Sequence, residues 1–246
     1  MSKNQYSIEI IDLTVKFSRW GQNVNALDHV NLSIPAGQWL MLVGHNGSGK
    51  STLLKVISGR TAYNNGEIKL GHKKISEMKS SEHAQLLFHV QQNPLMGTAP
   101  KLTLYENLMV ADYEARVEGT SKRELEEKYD NLLHPLGLSG RMKQLAQYFS
   151  GGERQLIALL IARLRRTSLL LLDEPFAALD PGKTKMCLKI IERLHDEGTT
   201  IIEVSHDQHR AVYGGNRTVV LKDGYIIYDK SETHRNADSI QNAWSF

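Results

Sequence analysis

A glycine-rich loop between an apolar segment and a helix constrains the fold of this chain more than any other feature. Residues 44–51 read GHNGSGKS and match the pattern G-x-x-x-x-G-K-[ST]. The loop follows the apolar run Trp39 to Val43, which is typical of a strand buried on both faces, and precedes STLLKVIS, a helix that Gly59 ends. Strand, loop and helix in this order predict an α/β fold.

The chemistry of this loop suits a chain of phosphates. Its glycines let successive backbone N–H groups turn inward as an anion nest, and the following helix adds the partial positive charge of its N-terminus. Lys50 can reach the β- and γ-phosphates, and the Ser51 hydroxyl can bind Mg²⁺. We therefore expect ATP and Mg²⁺ as ligands of this segment. Its nucleotide-binding residues are Gly44, His45, Asn46, Gly47, Ser48, Gly49, Lys50, Ser51 and Thr52.

Two further apolar strands end in side chains that can perform chemistry. Asp173 and Glu174 follow the run LLLL, and His206 ends the strand in VSHD. The carboxyl ends of parallel strands lie on one edge of a sheet, where ligands bind. We expect Asp173 to hold Mg²⁺, Glu174 to take a proton from the attacking water, and His206 to hydrogen-bond the γ-phosphate. Taken alone, a histidine after a strand is more often structural.

Composition excludes several classes of protein. The chain has 246 residues, of which 41% are hydrophobic and 23% charged, as in ordinary globular domains. No apolar run is long enough to span a membrane, and the first ten residues lack the apolar core of a secretory signal. The single cysteine, Cys187, fits a reducing compartment. A net charge of +3 is too small to indicate a nucleic-acid partner.

The order of patterns along the chain predicts its domain organisation. Strands alternating with helices predict a mostly parallel sheet flanked by helices, preceded by an N-terminal antiparallel β part. From about residue 93 to residue 150 helix formers and charges predominate, which predicts an inserted α-helical subdomain. We therefore expect one domain over 1–230, with its core at about 1–92 and 151–230. A polar, weakly patterned C-terminal tail covers 231–246.

These motifs, with FSGGE at residues 149–153, make the chain resemble the nucleotide-binding subunit of a bacterial uptake-type ATP-binding cassette (ABC) transporter, a P-loop NTPase. The resemblance extends over residues 8–229 and identifies the glycine-rich loop as Walker A and LLLLDE as Walker B with the catalytic glutamate. It further identifies His206 as the switch histidine. Gln92, next to Gln91, matches the Q-loop glutamine, which acts in catalysis and on the metal.

The resemblance implies a homodimer that binds two ATP molecules. Two copies would pack head to tail, with each nucleotide between the Walker A loop of one and the FSGGE signature of the other. The residues expected to face the partner's nucleotide are Ser150, Gly151, Gly152 and Glu153 of the signature. Asp180, the last residue of the D-loop Ala178-Leu179-Asp180, is expected there as well. Ser150 fits a helix N-cap, and the glycines after it leave backbone amides bare for a γ-phosphate.

The signature departs from the family pattern at two positions. Phe149 stands where leucine is usual, and Glu153 stands where glutamine is most frequent. Glu153 adds a carboxylate near the partner's nucleotide, and we expect the adjacent Arg154 to neutralise it. Members of the family also stack the adenine base on an aromatic residue of the N-terminal hairpin. Phe17 and Trp20 are both candidates, and Phe17 is favoured.

The resemblance also implies partners. The subdomain of residues 93–150 would grip a transmembrane permease, so that the chain is peripheral at the cytoplasmic face of the inner membrane. The strings QNPLMGTAPKLTLYENL and GNR resemble ATPase subunits for uptake of small organic solutes such as amino acids, which adds an extracytoplasmic solute-binding protein as a candidate partner. The alternatives are an ATP-dependent regulator of a membrane complex without transport, and a soluble cassette ATPase acting on nucleic acid or ribosomes.

Overall fold

The computed structural model describes residues 6–19, 22–177, 179–231 and 237–245. The chain forms two compact units. The first unit contains residues 1–89, 168–175 and 197–246, and the second contains residues 90–167 and 176–196. Residues 93–150 therefore lie in the second unit, together with 151–167 and 176–196, which the sequence places in the core. Within the described ranges, no helix is both long and apolar enough to cross a bilayer.

The regular elements follow one another along the chain as strands and helices. The strands are β1 (Ile8–Arg19), β2 (Gln22–Ile34), β3 (Trp39–Val43), β4 (Asn65–Leu70), β5 (Lys73–Lys74), β6 (Leu87–Val90), β7 (Leu169–Asp173), β8 (Thr200–Val204), β9 (Arg217–Lys222) and β10 (Tyr225–Ser231). The helices are α1 (Lys50–Ile57), α2 (Ser80–Leu86), α3 (Leu104–Ala111), α4 (Tyr113–Glu118), α5 (Lys122–Leu133), α6 (Gly151–Leu164), α7 (Pro181–Asp196), α8 (Gln208–Tyr213) and α9 (Ala237–Ser245). Short 3₁₀ helices lie at Ile75–Glu77, Pro94–Gly97, His134–Leu136 and Ala146–Tyr148.

A six-stranded sheet with the order β10-β9-β3-β8-β7-β6 provides the frame of the first unit. Strands β9, β3, β8 and β7 run parallel to one another, and β10 is antiparallel to β9. Every residue of β3, β7 and β8 is buried, which explains the continuous apolar runs of β3 and of the four leucines of β7. This arrangement confirms the predicted α/β class with its mostly parallel sheet.

A second sheet, with the order β2-β1-β4-β5, is antiparallel and confirms the predicted N-terminal β part. Its inner face and the first sheet share one apolar core, to which α1 contributes Leu53, Leu54 and Ile57. The pairing of β1 with β2 is interrupted by bulges between Ile10 and Lys16. The common core fixes α1, and with it the glycine-rich loop, against the parallel sheet.

The second unit is helical in its described part. Helices α6 and α7 pack on each other, and α3 contacts both α5 and α6. Gly97 lies so close to α6 that a Cβ atom there would come within 2.7 Å of the Cβ of Ala158. Capping boxes begin α3 at Thr103 and α5 at Ser121, which makes both helix starts visible in the sequence.

The C-terminal segment differs from the expected weakly patterned tail. Helix α9 lies in this segment, and Ile240 on it is buried with Ala211 and Val220 in a small apolar cluster. Ala243 packs against the same cluster one turn later. Ile240 and Ala243 are three residues apart and so share one face of the helix, and a stripe this short gives a weak helical signal in nine residues.

His89 on β6 makes the stability of the first unit sensitive to acid. Its side chain is buried, and neither ring nitrogen has a hydrogen-bond partner among the described residues. Burial, with a smaller effect of the positive charges of Arg60 and Lys55, lowers its pKa from 6.5 to about 4. The unfolded chain therefore binds a proton that the folded chain excludes, and stability is lost as the pH falls from 6.5 towards 4.

We expect His89→Phe to remove this acid sensitivity. The advantage of the variant over the wild type in free energy of unfolding should grow by about 3 kcal/mol between pH 7 and pH 4. Urea titrations at several pH values measure this difference. Parallel pH profiles for the two proteins would show that His89 is not the responsible group.

Candidate active site

The glycine-rich loop leaves β3 and enters α1 under tight steric control. Gly44 and Gly49 have φ angles of 146° and 106°, in the region that disfavours side chains. A Cβ atom on Gly44 would lie 2.0 Å from the carbonyl oxygen of Leu221, and one on Gly49 would lie 2.3 Å from that of Ala26. No other residue type fits these two positions, and so the path of the loop follows from its glycines. His45, Asn46 and Gly47 are exposed at its tip, Ser48 is buried, and Thr52 is half-buried in α1.

Lys50, the first residue of α1, is buried beneath this loop. Its Nζ donates hydrogen bonds to the carbonyl oxygens of Gly44 (2.8 Å) and His45 (2.7 Å), and to Oγ of Ser48 (3.3 Å). Burial lowers the pKa of Lys50, while the nearby carboxylates act in the opposite direction. The loop therefore curls around its own cation, which places a positive charge where phosphates would bind.

Ser51 and Asp173 bring two hard oxygen ligands together. The Ser51 hydroxyl donates to Oδ1 of Asp173 at 3.2 Å. Asp173 ends β7 and is only 8% exposed, and burial raises the pKa of its carboxyl group. A hydroxyl and a carboxylate next to a phosphate loop are oxygen donors of the kind that Mg²⁺ prefers, so the residues present fit this ion.

Glu174 and His206 are in direct contact. Asp173 pairs with Val204 in the parallel ladder, so the residues that follow β7 and β8 emerge side by side. The Glu174 backbone N–H donates to the carbonyl of Val204 at 3.1 Å, and a carboxylate oxygen of Glu174 contacts Nε2 of His206. Glu174 adopts φ 51°, an unusual conformation for a non-glycine residue and one that is frequent at functional sites. The result is a carboxylate and an imidazole facing one another at the sheet edge.

Phe17, Trp20 and Gln92 are the remaining residues that the sequence predicts to contact the base or the metal. Phe17 is a residue of β1, paired with Val24 of β2, and it is 41% exposed. Trp20 lies outside the described residues. Gln92 is exposed and belongs to the second unit. Phe17, Trp20 and Gln92 therefore stay predictions as ligands of the base or the metal.

The FSGGE signature forms the start of α6 in the second unit. Ser150 is the N-cap, and its Oγ accepts from the Glu153 N–H at 3.3 Å, while Glu153 Oε2 accepts from the Ser150 N–H at 2.7 Å. This reciprocal pair is a capping box, and Glu153 is its N3 residue. Gly151 and Gly152 follow the cap, and a Cβ atom on Gly152 would lie 2.5 Å from Cδ of Lys183.

Asp180 caps the neighbouring helix α7. Its Oδ1 accepts from the backbone N–H of Lys183 at 2.9 Å, and its Oδ2 pairs with the ammonium of the same residue at 3.0 Å. These bonds lower the pKa of the carboxyl group. Of the D-loop, Ala178 lies outside the described residues, so the structure describes this segment only in part.

The partner of Glu153 is Arg141, and the expectation that Arg154 neutralises Glu153 is wrong. Nη1 of Arg141 lies 2.5 Å from Oε1 of Glu153, and its guanidinium lies 4.3 Å from the centre of the Phe149 ring. Arg154 instead donates to the carbonyl oxygens of Gln147 and Phe149. Burial opposes ionisation of Glu153, but the hydrogen bonds from Arg141 and Ser150 outweigh it and lower its pKa.

We expect Glu153→Gln and Glu153→Ala to differ in stability. Glutamine is the other residue that completes a capping box, so Glu153→Gln should change the free energy of unfolding by less than about 1 kcal/mol, the range of a partly exposed ion pair. Alanine removes the acceptor of the Ser150 N–H as well, and should cost about 1–2 kcal/mol. Chemical denaturation measures both. Equal losses would show that the ion pair, and not the capping box, is the main contribution of Glu153.

Comparison with known proteins agrees with this geometry. The family model described as ABC transporter matches residues 27–177. The tyrosine transport ATP-binding protein of Clostridioides difficile (strain R20291) is 31% identical over 235 residues, which cover 93% of each protein. The macrolide export ATP-binding/permease protein MacB of Mannheimia succiniciproducens is 32% identical over 96% of this chain but only 36% of its own length.

A solved structure is similar over nearly the whole chain. It is the dimeric post-hydrolysis state of an ATP-binding cassette bound to ADP and Pi, and it has a TM-score of 0.77 and 25% sequence identity. The alignment covers 92% of this chain and 98% of that one. With the family model and the long relative, this similarity shows that the chain belongs to the ABC transporter family, as an ATP-hydrolysing motor subunit.

Proposed function

We propose that this ATPase hydrolyses ATP at a loop site completed by a second copy of the chain, and that it drives a transmembrane permease for uptake of a small organic solute. The observation that carries the proposal is the cluster in the first unit. Three features meet at one edge of the parallel sheet. They are the buried cation of Lys50, the hydroxyl–carboxylate pair Ser51–Asp173 and the carboxylate–imidazole pair Glu174–His206. Parallel α/β sheets bind ligands at that edge.

In this proposal the phosphates of ATP bind in the glycine-rich loop. The backbone N–H groups of the loop and the ammonium of Lys50 neutralise the β- and γ-phosphates. Ser51 and Asp173, with Gln92 as the further expected ligand, would hold Mg²⁺, which supplies additional positive charge against the phosphate oxygens. Phe17, an exposed aromatic residue of β1, is the favoured platform for adenine.

Hydrolysis requires one water molecule to be activated next to the γ-phosphate. Its oxygen bonds to the γ-phosphorus, the bond to the bridging oxygen of ADP breaks, and Glu174 takes the proton of the water. His206 contacts the carboxylate of Glu174 and can donate to the γ-phosphate. Glu174 directly follows a fully buried strand, and its backbone N–H is bonded to the neighbouring strand, so the sheet holds its backbone in place.

A second copy would supply the remaining contacts to each nucleotide. Ser150 is exposed at the N-terminus of α6, where bare amides and the helix dipole favour an anion. Each chain contains one glycine-rich loop and one signature, so a head-to-tail pair would contain two equivalent sites. The dimeric state of the similar ATP-binding cassette supports this assembly.

The relatives and the helical unit support the proposed permease and its solute. One relative that is similar over 93% of its own length is a tyrosine transport ATP-binding protein, so we propose uptake of an amino acid such as tyrosine, with a solute-binding protein outside the membrane. The chain would then lie at the cytoplasmic face of the inner membrane. Val110 on α3 and Val117 on α4 are apolar and exposed, as a docking surface for the permease within residues 93–150 requires.

Charge placed on this surface tests the proposal. Val110→Glu and Val117→Glu should preserve ATP hydrolysis by the isolated subunit but abolish both co-purification of the co-expressed permease and uptake of labelled L-tyrosine. Ile227→Glu, at an exposed apolar position on β10, is the matched control and should leave both unchanged. Loss of ATP hydrolysis in the isolated Val117→Glu subunit would place this surface in the nucleotide site. ATP-driven efflux would contradict the proposed direction.

A further inference from the structure

An ion pair with a fully buried carboxylate and a largely buried arginine joins the strand before His206 to the helix after it. Glu203 on β8 has no exposed surface, and Arg210 on α8 forms three hydrogen bonds to its carboxylate, at 2.9, 2.7 and 2.6 Å. The indole N–H of Trp39 on β3 donates to the same carboxylate at 3.1 Å, and the guanidinium lies 5.6 Å from the centre of the indole ring. The carboxylate thus occupies a closed polar pocket in an apolar core.

Such a pair is a costly way to stabilise a fold. Desolvation of two charges often outweighs their attraction, and apolar residues of similar size are frequently as stable. The pair does fix how its two residues are placed, because the planar guanidinium of an arginine on a carboxylate sets both the distance and the orientation between them. The pair therefore defines how α8 is oriented against the end of β8.

The segment held between the two partners is the loop that carries His206. Glu203 lies three residues before His206 and Arg210 lies four residues after it. Inside the loop, the Asp207 N–H donates to Oγ of Ser205 at 3.1 Å, and Asp207 caps α8 by accepting from the His209 N–H at 2.8 Å. Both ends and the turn of this short loop are therefore constrained, although His206 itself is exposed.

We propose that Glu203 and Arg210 are positioning residues that hold His206 against Glu174. The ion pair closes the ends of the loop, the cap fixes its turn, and the imidazole is thereby kept in contact with the carboxylate that activates water. This inference rests on the proposed function, in which Glu174 and His206 act on ATP. Neither Glu203 nor Arg210 touches the nucleotide in this role, and both act only through His206.

Arg210→Gln tests the proposal, with Arg217→Gln as the matched control. Arg217 pairs bidentately with Asp229 at 2.7 and 2.6 Å, its side chain is as exposed as that of Arg210 (16%), and both partners lie in the β9–β10 hairpin. Arg210→Gln should lower kcat by about 10- to 100-fold, the cost of a small misplacement, with KM for ATP within about twofold. Arg217→Gln should lower the melting temperature without lowering kcat.

A double-mutant cycle separates positioning from a general loss of structure. In a His206→Ala background, Arg210→Gln should cause no further fall in kcat, because the group that it positions is absent. Glu203→Leu/Arg210→Leu, which replaces the pair by apolar residues but removes the acceptor of the Trp39 indole N–H, should lower the melting temperature only modestly and still lose kcat. A full additional loss in the His206→Ala background, or normal kcat in the double leucine variant, would overturn the proposal.

The same measurements distinguish this proposal from the proposed function. If His206→Ala hydrolyses ATP at the wild-type rate, the role of His206 in hydrolysis is wrong, and its positioning by Arg210 is overturned with it. If hydrolysis depends on His206 but is unaffected by Arg210→Gln, the proposed function stands and only the positioning role is wrong.

Discussion

Glu174→Gln should reduce kcat for ATP hydrolysis by about 100-fold or more while the affinity for ATP stays within about twofold. The amide keeps the shape of the carboxylate and can still accept a hydrogen bond from His206, but it cannot take a proton from water. Binding depends on other groups, chiefly Lys50 and the backbone of the loop. Phosphate release in single-turnover and steady-state assays measures the first quantity, and calorimetry measures the second.

The variant should also accumulate as an ATP-bound dimer. With hydrolysis blocked, the closed assembly cannot reach the product state, and size-exclusion chromatography should show a dimer in ATP and a monomer in ADP. Glu77→Gln, at an exposed position on the surface, serves as the control and should behave as the wild type. Phosphate release near the wild-type rate would assign the proton acceptor elsewhere, with His206 as the next candidate.

Lys50→Ala should raise the dissociation constant for ATP by about 10- to 100-fold. A hydrogen bond to a charged group contributes about 1.5–3 kcal/mol, and every 1.4 kcal/mol corresponds to a factor of ten. The buried ammonium already organises the loop through three hydrogen bonds, so its loss removes both a phosphate contact and the support of the loop. Titration calorimetry with ATP measures this change.

Two comparisons sharpen this prediction. Lys55→Ala, at an exposed lysine later in the same helix, should change the affinity for ATP by no more than about twofold. The affinity of Lys50→Ala for AMP should equal that of the wild type, because AMP lacks the phosphates that Lys50 reaches. An unchanged affinity of Lys50→Ala for ATP would exclude the proposed role of this lysine.

Local patterns explain why most of the fold was predictable. Trp39–Val43 and Leu169–Asp173 are fully buried strands, and burial on both faces demands the continuous apolar runs that the sequence displays. The glycines of the loop are dictated by backbone contacts of 2.0 and 2.3 Å, so their spacing predicts the turn. The polarity of parallel strands predicts that Asp173 and His206 share one edge of the sheet. At that edge the backbone N–H of Glu174 donates a hydrogen bond to the carbonyl of Val204.

Side-chain pairs that follow no helix or strand period cannot be predicted in the same way. Arg141 lies twelve positions before Glu153, and no periodicity marks their pairing, whereas Arg154, adjacent to Glu153, donates to backbone carbonyls instead. The ion pair of Glu203 and Arg210 is not visible in the sequence, because a charged residue inside an apolar strand gives no indication of its partner. Helix α9 is hard to predict from sequence because, among its residues whose burial the structure describes, Ile240 is fully buried and Ala243 is only partly buried.

Mixing two inactive variants tests the composite site most directly. Lys50→Ala retains an intact signature, and Ser150→Arg retains an intact glycine-rich loop. If loop and signature act across the interface, both sites are damaged in each homodimer. A mixed dimer then has one site with both parts intact. Since half of the dimers in an equimolar mixture are mixed, hydrolysis should recover to about a quarter of the wild-type rate. A rate no higher than the sum of the two separate variants would contradict a site shared between two copies.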